Sequence, residues 1–85
     1  MQEIDRARSA LLALDPGCDR ETWVRIAMAC KASGLPVEDF VVWSSQANNF
    51  AGEADCRAVW RSINGTGGIG PATLFGLARD AGWRD

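Results

Sequence analysis

The side chains with the most chemical potential in this chain are arginines. Arg57 and Arg61 stand four residues apart, a spacing that puts both on one flank of a helix. Guanidinium groups so placed can hold successive phosphates, and their planes can stack on unpaired bases. Glu53 precedes Arg57 by the same interval, so a solvated ladder of alternating charge competes with that reading. Other chemistry is excluded by residue type. The chain has no histidine and no Cys-x-x-Cys pair, which removes the usual zinc sites, imidazole bases and Ser-His or Cys-His nucleophile pairs. Asp15, Asp19 and Asp55 do not follow the spacing of a dedicated metal loop. No catalytic residue, metal site or cofactor is expected, and the isolated chain reads as non-enzymatic.

Two further features invite a functional reading and are better explained structurally. Residues 64–70, Asn-Gly-Thr-Gly-Gly-Ile-Gly, resemble an anion nest ahead of a helix, but Pro71 removes a donor and no Lys-Ser/Thr follows. A flexible connector accounts for the glycines. Of the four tryptophans, Trp23 and Trp60 fall on apolar stripes, and Trp83 follows Gly82 where a capping contact belongs. Core packing explains them better than base stacking.

These residues must be positioned by helices, because apolar residues recur at helical spacing and nowhere alternate with period two. Five helices are expected in one all-α bundle spanning residues 1–85. The first covers about 3–14, with Ile4, Ala7, Leu11 and Leu14 inward, and Asp15-Pro16-Gly17 stops it. Asp19 caps the second, whose stripe is Trp23, Ile26, Ala27 and Cys30; Lys31 suits its C-terminal end and Gly34 its left-handed cap. Pro36 starts the third in its first turn, with Phe40, Trp43 and Ala47 on one face and Asn48-Asn49 at its end. The fourth opens near Gly52 and carries Cys56, Val59, Trp60 and Ile63. Pro71 starts the fifth, with Leu74, Leu77, Ala78 and Ala81 inward and Gly82 as its cap.

The chain is one small domain of 85 residues. Its length and its 47% hydrophobic content suit a globular core held without a staple. It has no apolar run long enough to span a membrane. Three cysteines leave no complete set of internal disulfides, so a reducing, cytoplasmic setting is expected. The formal net charge of −2 conceals polarity by helix. Residues 1–19 and 35–55 are acidic, the latter without any base, while residues 20–34 and 56–85 are basic.

Three strings, in order, carry a family resemblance. Asp19-Arg20-Glu21-Thr22-Trp23-Val24-Arg25-Ile26-Ala27-Met28-Ala29-Cys30-Lys31 is similar to a D-x-E-x-W-x-x-V-G-M-A-L-K stretch. Asp55-Cys56-Arg57-Ala58-Val59-Trp60-Arg61-Ser62-Ile63 is similar to E-C-x-x-K-W-x-S-F. Thr73-Leu74-Phe75-Gly76-Leu77-Ala78-Arg79, with Gly82-Trp83, is similar to T-L-F-x-L-A-x-x-x-G-W, and Trp43-Ser44 fits an intervening W-S element. Together they resemble the primase C-terminal helical domain family (the PriCT type) over residues 5 to 83. The resemblance implies a helical module attached to a primase or primase-polymerase of a phage or plasmid, often beside a helicase.

It further implies contact with single-stranded template DNA or the initiating nucleotide through Arg25, Lys31, Arg57, Arg61 and Arg79. Ala58 and Val59 stand where the family commonly has bases, which, with the net acidity, sets the expected affinity low. Two other roles compete. One is a spacer or interaction module coupling primase and helicase domains, using the acidic third helix. The other is a free-standing regulator of phage type.

Overall fold

The computed structural model describes residues 3–63 and 68–84. Five helices follow one another: α1 (Glu3–Leu12), α2 (Arg20–Ala32), α3 (Val37–Ser44), α4 (Glu53–Ser62) and α5 (Pro71–Asp80). There is no strand among the described residues. The protein is an all-helical globule, as the apolar spacing requires.

Local chemistry sets most of the helix ends. Asp19 caps α2, its carboxylate accepting from the Thr22 main-chain N–H at 3.3 Å and from the Thr22 hydroxyl at 2.6 Å. Those bonds hold the Asp19 carboxyl below the usual carboxylate range. At the far end Gly34 turns left-handed (φ 85°), and the Leu35 N–H reaches back to the Cys30 carbonyl. Gly82 repeats the device after α5 at φ 97°, with the Trp83 N–H on the Ala78 carbonyl at 2.9 Å. Pro71 occupies the first turn of α5, where its missing N–H costs nothing. Pro36 does not enter α3; it is the residue before it, in extended conformation.

The expected inward faces hold with specific exceptions. On α1 the buried residues are Ala7, Ala10 and Leu11, whereas Ile4 stands 36% exposed. On α5 the core takes Leu74, Phe75 and Ala78, while Ala81 is exposed. The ring of Trp83 folds back and stacks on Phe75, with centroids 5.7 Å apart and planes 13° apart. The third helix ends at Ser44 rather than at Asn48-Asn49, and the chain then returns Phe50 to the protein surface in half-buried form. Of residues 64–70, Asn64, Gly65, Thr66 and Gly67 lie outside the described residues.

Phe40 is the hub of the core. Its ring lies 5.1 Å from that of Trp23, 5.9 Å from Trp43 and 5.5 Å from Trp60, all in the tilted geometry that aromatic pairs favour. Both buried indoles find an acceptor for their N–H. Trp23 donates to the Ser44 hydroxyl at 3.0 Å and Trp43 to the Leu14 carbonyl at 3.0 Å. α1 packs on α5 and α3, and α2 packs on α5, α4 and α3.

Candidate nucleic-acid interface

The five cations expected at the interface divide by what holds them. Lys31, near the end of α2, sends its ammonium across to α4 and donates to the carbonyls of Trp60 (2.8 Å) and Ile63 (3.0 Å). These are carbonyls at a helix terminus, where the last C=O groups lack the usual i+4 partner; the Trp60 carbonyl also accepts from the Ile63 N–H at 3.3 Å. The negative end of the α4 dipole adds to the attraction. Arg57 lies between two carboxylates, with Glu53 one turn away at 2.6 Å and Glu38 of α3 at 3.5 Å. Both glutamates are well exposed.

Arg25, Arg61 and Arg79 are exposed, and among the described residues they form no ion pair or hydrogen bond. Arg61 extends the flank of α4 that carries Arg57. Lys31 reaches the same end of that helix. Three of the five expected residues therefore gather around the second half of α4. Arg25 projects from α2 on the side away from its buried stripe. Arg79 lies one turn beyond Phe75, on the edge where α5 meets α1. The expected set forms one cluster and two outliers rather than a single track.

α2 and α4 are tied a second time at their beginnings. Arg20 donates through both terminal nitrogens to the two oxygens of Asp55, each at 3.1 Å, the bidentate match that guanidinium and carboxylate favour. The guanidinium also lies 5.0 Å over the Trp23 ring. Hydrogen bonding from Arg20 holds the Asp55 carboxyl below the usual carboxylate range. Beginnings paired with beginnings and ends with ends make α2 and α4 run in the same direction.

Beside the Arg20–Asp55 pair is a cleft of about 190 Å³, between the start of α2 and the α3–α4 connection. Trp23, Phe50 and Pro16 are among its walls, and Cys18 and Cys56 both face it. Burial pushes both thiols up from their ordinary value, so they are neutral at pH 7 and poor nucleophiles. The third thiol, Cys30, is pushed up by burial to about 12. Sequence reasoning missed this cleft. Asp19 and Arg20 read as helix-start residues, and Asp55 lies 35 positions further along.

No group of three or more His, Cys, Asp or Glu among the described residues is placed to hold a metal ion. No helix among them is long and apolar enough to cross a membrane.

A family model for Primase C terminal 2 (PriCT-2) matches residues 7–78, from the first turn of the α1 core stripe to the last buried residue of α5. The chain belongs to that family. No curated protein and no solved structure matches the chain. The match places this PriCT-2 domain in a primase context, and the Asp19–Lys31 and Asp55–Ile63 strings form α2, α4 and the two ties between them.

Proposed function

We propose that this PriCT-2 domain is a non-catalytic accessory module of a replication primase that holds single-stranded template weakly, through the arginines that no internal contact consumes. The observation that carries the reading is the division of the cations. Arg25, Arg61 and Arg79 are exposed and make no internal pair among the described residues, so they can meet phosphate without first breaking a bond. Arg57 contributes less, because Glu53 and Glu38 already surround it. Lys31 contributes mainly by fixing α4 beneath Arg61. A net charge of −2 and few cations per strand footprint give an affinity of roughly 10–100 μM at low salt, weakening steeply as salt rises.

Fluorescence anisotropy on a labelled oligonucleotide tests this directly. Combined Arg25→Ala, Arg61→Ala and Arg79→Ala substitution is expected to weaken binding by roughly tenfold and to flatten its salt dependence. Arg20→Ala is the matched control, since its charge is spent on Asp55. Equal loss from both variants would leave only diffuse attraction, and absence of binding at every salt concentration would overturn the reading.

A second reading, docking against a neighbouring primase or helicase domain, is favoured by one feature. Leu12 and Val42 are 62% and 60% exposed. Each lies one turn beyond a member of the Arg8–Asp39 ion pair, which places them level with each other on adjacent helices.

A further inference from the structure

Two stretches of the chain pack together without contributing a single cation. Residues 9–19 and 40–54 hold Asp15, Asp19 and Glu53 and no Lys or Arg. They meet where Trp43 donates to the Leu14 carbonyl, and the surface beside their junction is concave. One part is the cleft of about 190 Å³ next to Arg20 and Asp55. The other is a wide, open shelf of about 560 Å³ that shares Pro16, Ala47 and Asn49 with the cleft. Asp15, Gln46 and Asn48 also line the shelf. Arg20 is the only cation among the described residues lining either hollow, and two bonds commit it to Asp55. The lining keeps one net negative charge, that of Asp15.

This chemistry opposes a nucleic-acid strand and suits a peptide. Phosphate oxygens only accept hydrogen bonds, and at Asp15 they meet a like charge. A peptide group offers one donor and one acceptor, and a carboxamide matches both. Gln46, Asn48 and Asn49 make no side-chain hydrogen bond to the described protein, so a visiting main chain displaces no internal partner. Asp15 places one oxygen on the Gly17 N–H at 2.8 Å and keeps the other for a cation. The cleft modestly exceeds the roughly 150 Å³ that accommodates benzene in an apolar cavity, which gives room for one apolar side chain. Pro16, Cys18, Ala47 and Phe50 line it half-buried. Val42 stands one turn before Gln46, and Leu12 three residues before Asp15, so the exposed apolar pair continues the same surface.

We propose that the cleft, the shelf and the Leu12–Val42 pair form one groove for an extended segment of a partner protein. A single apolar side chain of that segment anchors in the cleft, its main chain bonds to the carboxamides, and a Lys or Arg faces Asp15. The net charge of −2 favours the approach of such a basic segment. The proposal rests on the docking reading, which it narrows to one surface and one kind of partner, and it is independent of the template reading.

A random heptapeptide library displayed on phage and selected on the intact chain supplies the probes. Enriched peptides are expected to share one apolar residue with a Lys or Arg a few positions away. Labelled copies are then followed by fluorescence anisotropy. Ala47→Trp fills both hollows and should weaken binding at least about tenfold. Asn49→Ala, at an exposed loop position, should weaken it about threefold. Asp15→Asn keeps an oxygen for the Gly17 N–H and should cost about two- to fivefold. Asp80→Asn makes the same change of net charge on an exposed residue of α5 and should cost nothing. Bound peptide should also slow iodoacetamide alkylation of Cys18, the least buried thiol, read by intact mass.

Circular dichroism checks each variant, and Asn49→Ala with Asp15→Asn carries the test if Ala47→Trp does not fold. No enriched peptide, equal losses from Asp15→Asn and Asp80→Asn, or displacement of the peptide by a single-stranded oligonucleotide would overturn the groove. Peptide binding that survives a folded Ala47→Trp, yet is lost in Leu12→Ser with Val42→Ser, would also overturn it while leaving docking through that pair intact. The triple arginine variant, which lowers strand binding, should keep full affinity for the peptide.

Discussion

Where α2 and α4 begin, Arg20 meets Asp55 across exposed surface, two charged side chains in a pair that solvent screens. Where the same helices end, Lys31 meets the uncharged carbonyls of Trp60 and Ile63 in part-buried surroundings. The second tie gives the Ile63 carbonyl a partner and the Trp60 carbonyl a second one beside the Ile63 N–H, next to an Ile63 that is 7% exposed. The first tie satisfies groups that water would serve nearly as well, and a cleft remains beside it. Two cation bridges between the same helices thus differ in kind. One seals the bundle, and the other leaves room for a ligand.

Phe40→Ala breaks both ends at once, because that ring touches Trp23 near the beginning and Trp60 near the end. A loss of about 3–5 kcal/mol is expected, as for other buried aromatic truncations. At about 4–8 °C per kcal/mol for a domain of this size, the Tm falls by at least about 12 °C. A near-neutral melt by circular dichroism would refute the hub. Lys31→Met keeps the apolar stem and removes only the donor. It is expected to cost about 1.5–3 kcal/mol, the range for a hydrogen bond to a charged group, read from urea unfolding. Arg61→Ala, lacking any internal contact among the described residues, should unfold at nearly the wild-type midpoint, so equal losses would erase the contrast between sealing and exposed cations.

The smallest effect belongs to acid. Asp19 and Asp55 titrate below their ordinary value of 3.8 in the folded protein, so the unfolded chain takes up protons first. Their stabilising contribution is complete above that ordinary value and disappears as pH falls through the lower folded values. With no histidine, Tm is expected to stay level between about pH 5 and 8 and to decline below about pH 4. Asp55→Asn should flatten part of that decline. An unchanged slope would mean that the beginning of the helix pair adds nothing at all to stability.

The elements were legible where a residue acts on its own neighbours. Asp19, Gly34 and Gly82 fix helix ends through bonds spanning a few positions and Pro71 through its ring, and each stands where its type demands. Helical periodicity located the core stripes, yet it could not say how far round each helix the core extends. Ile4 and Ala81 share the phase of buried residues and remain exposed, because no neighbouring helix covers them. The flank shared by Arg57 and Arg61 follows from spacing alone. The approach of Glu38 to Arg57 across 19 positions does not, nor does Lys31 reaching a helix end 29 and 32 residues away. The cleft needed three separate segments, at Pro16–Trp23, Ser44–Ala51 and Asp55–Cys56, and no local pattern joins them.

The seam between α1 and α5 sets a timetable for the chain as it is made. Trp83 donates its indole N–H to the Ser9 hydroxyl across 74 positions, and Arg6 lies 4.2 Å over the Phe75 ring. At about 5–20 residues per second, the ribosome completes α5 roughly 3–14 s after α1. During that interval the first helix waits for one of its two packing partners. The face it holds ready consists of Ala7, Ala10 and Leu11, two methyl groups and one isobutyl, and so little unfinished surface gives a nascent chain few chances to stick to the wrong neighbour.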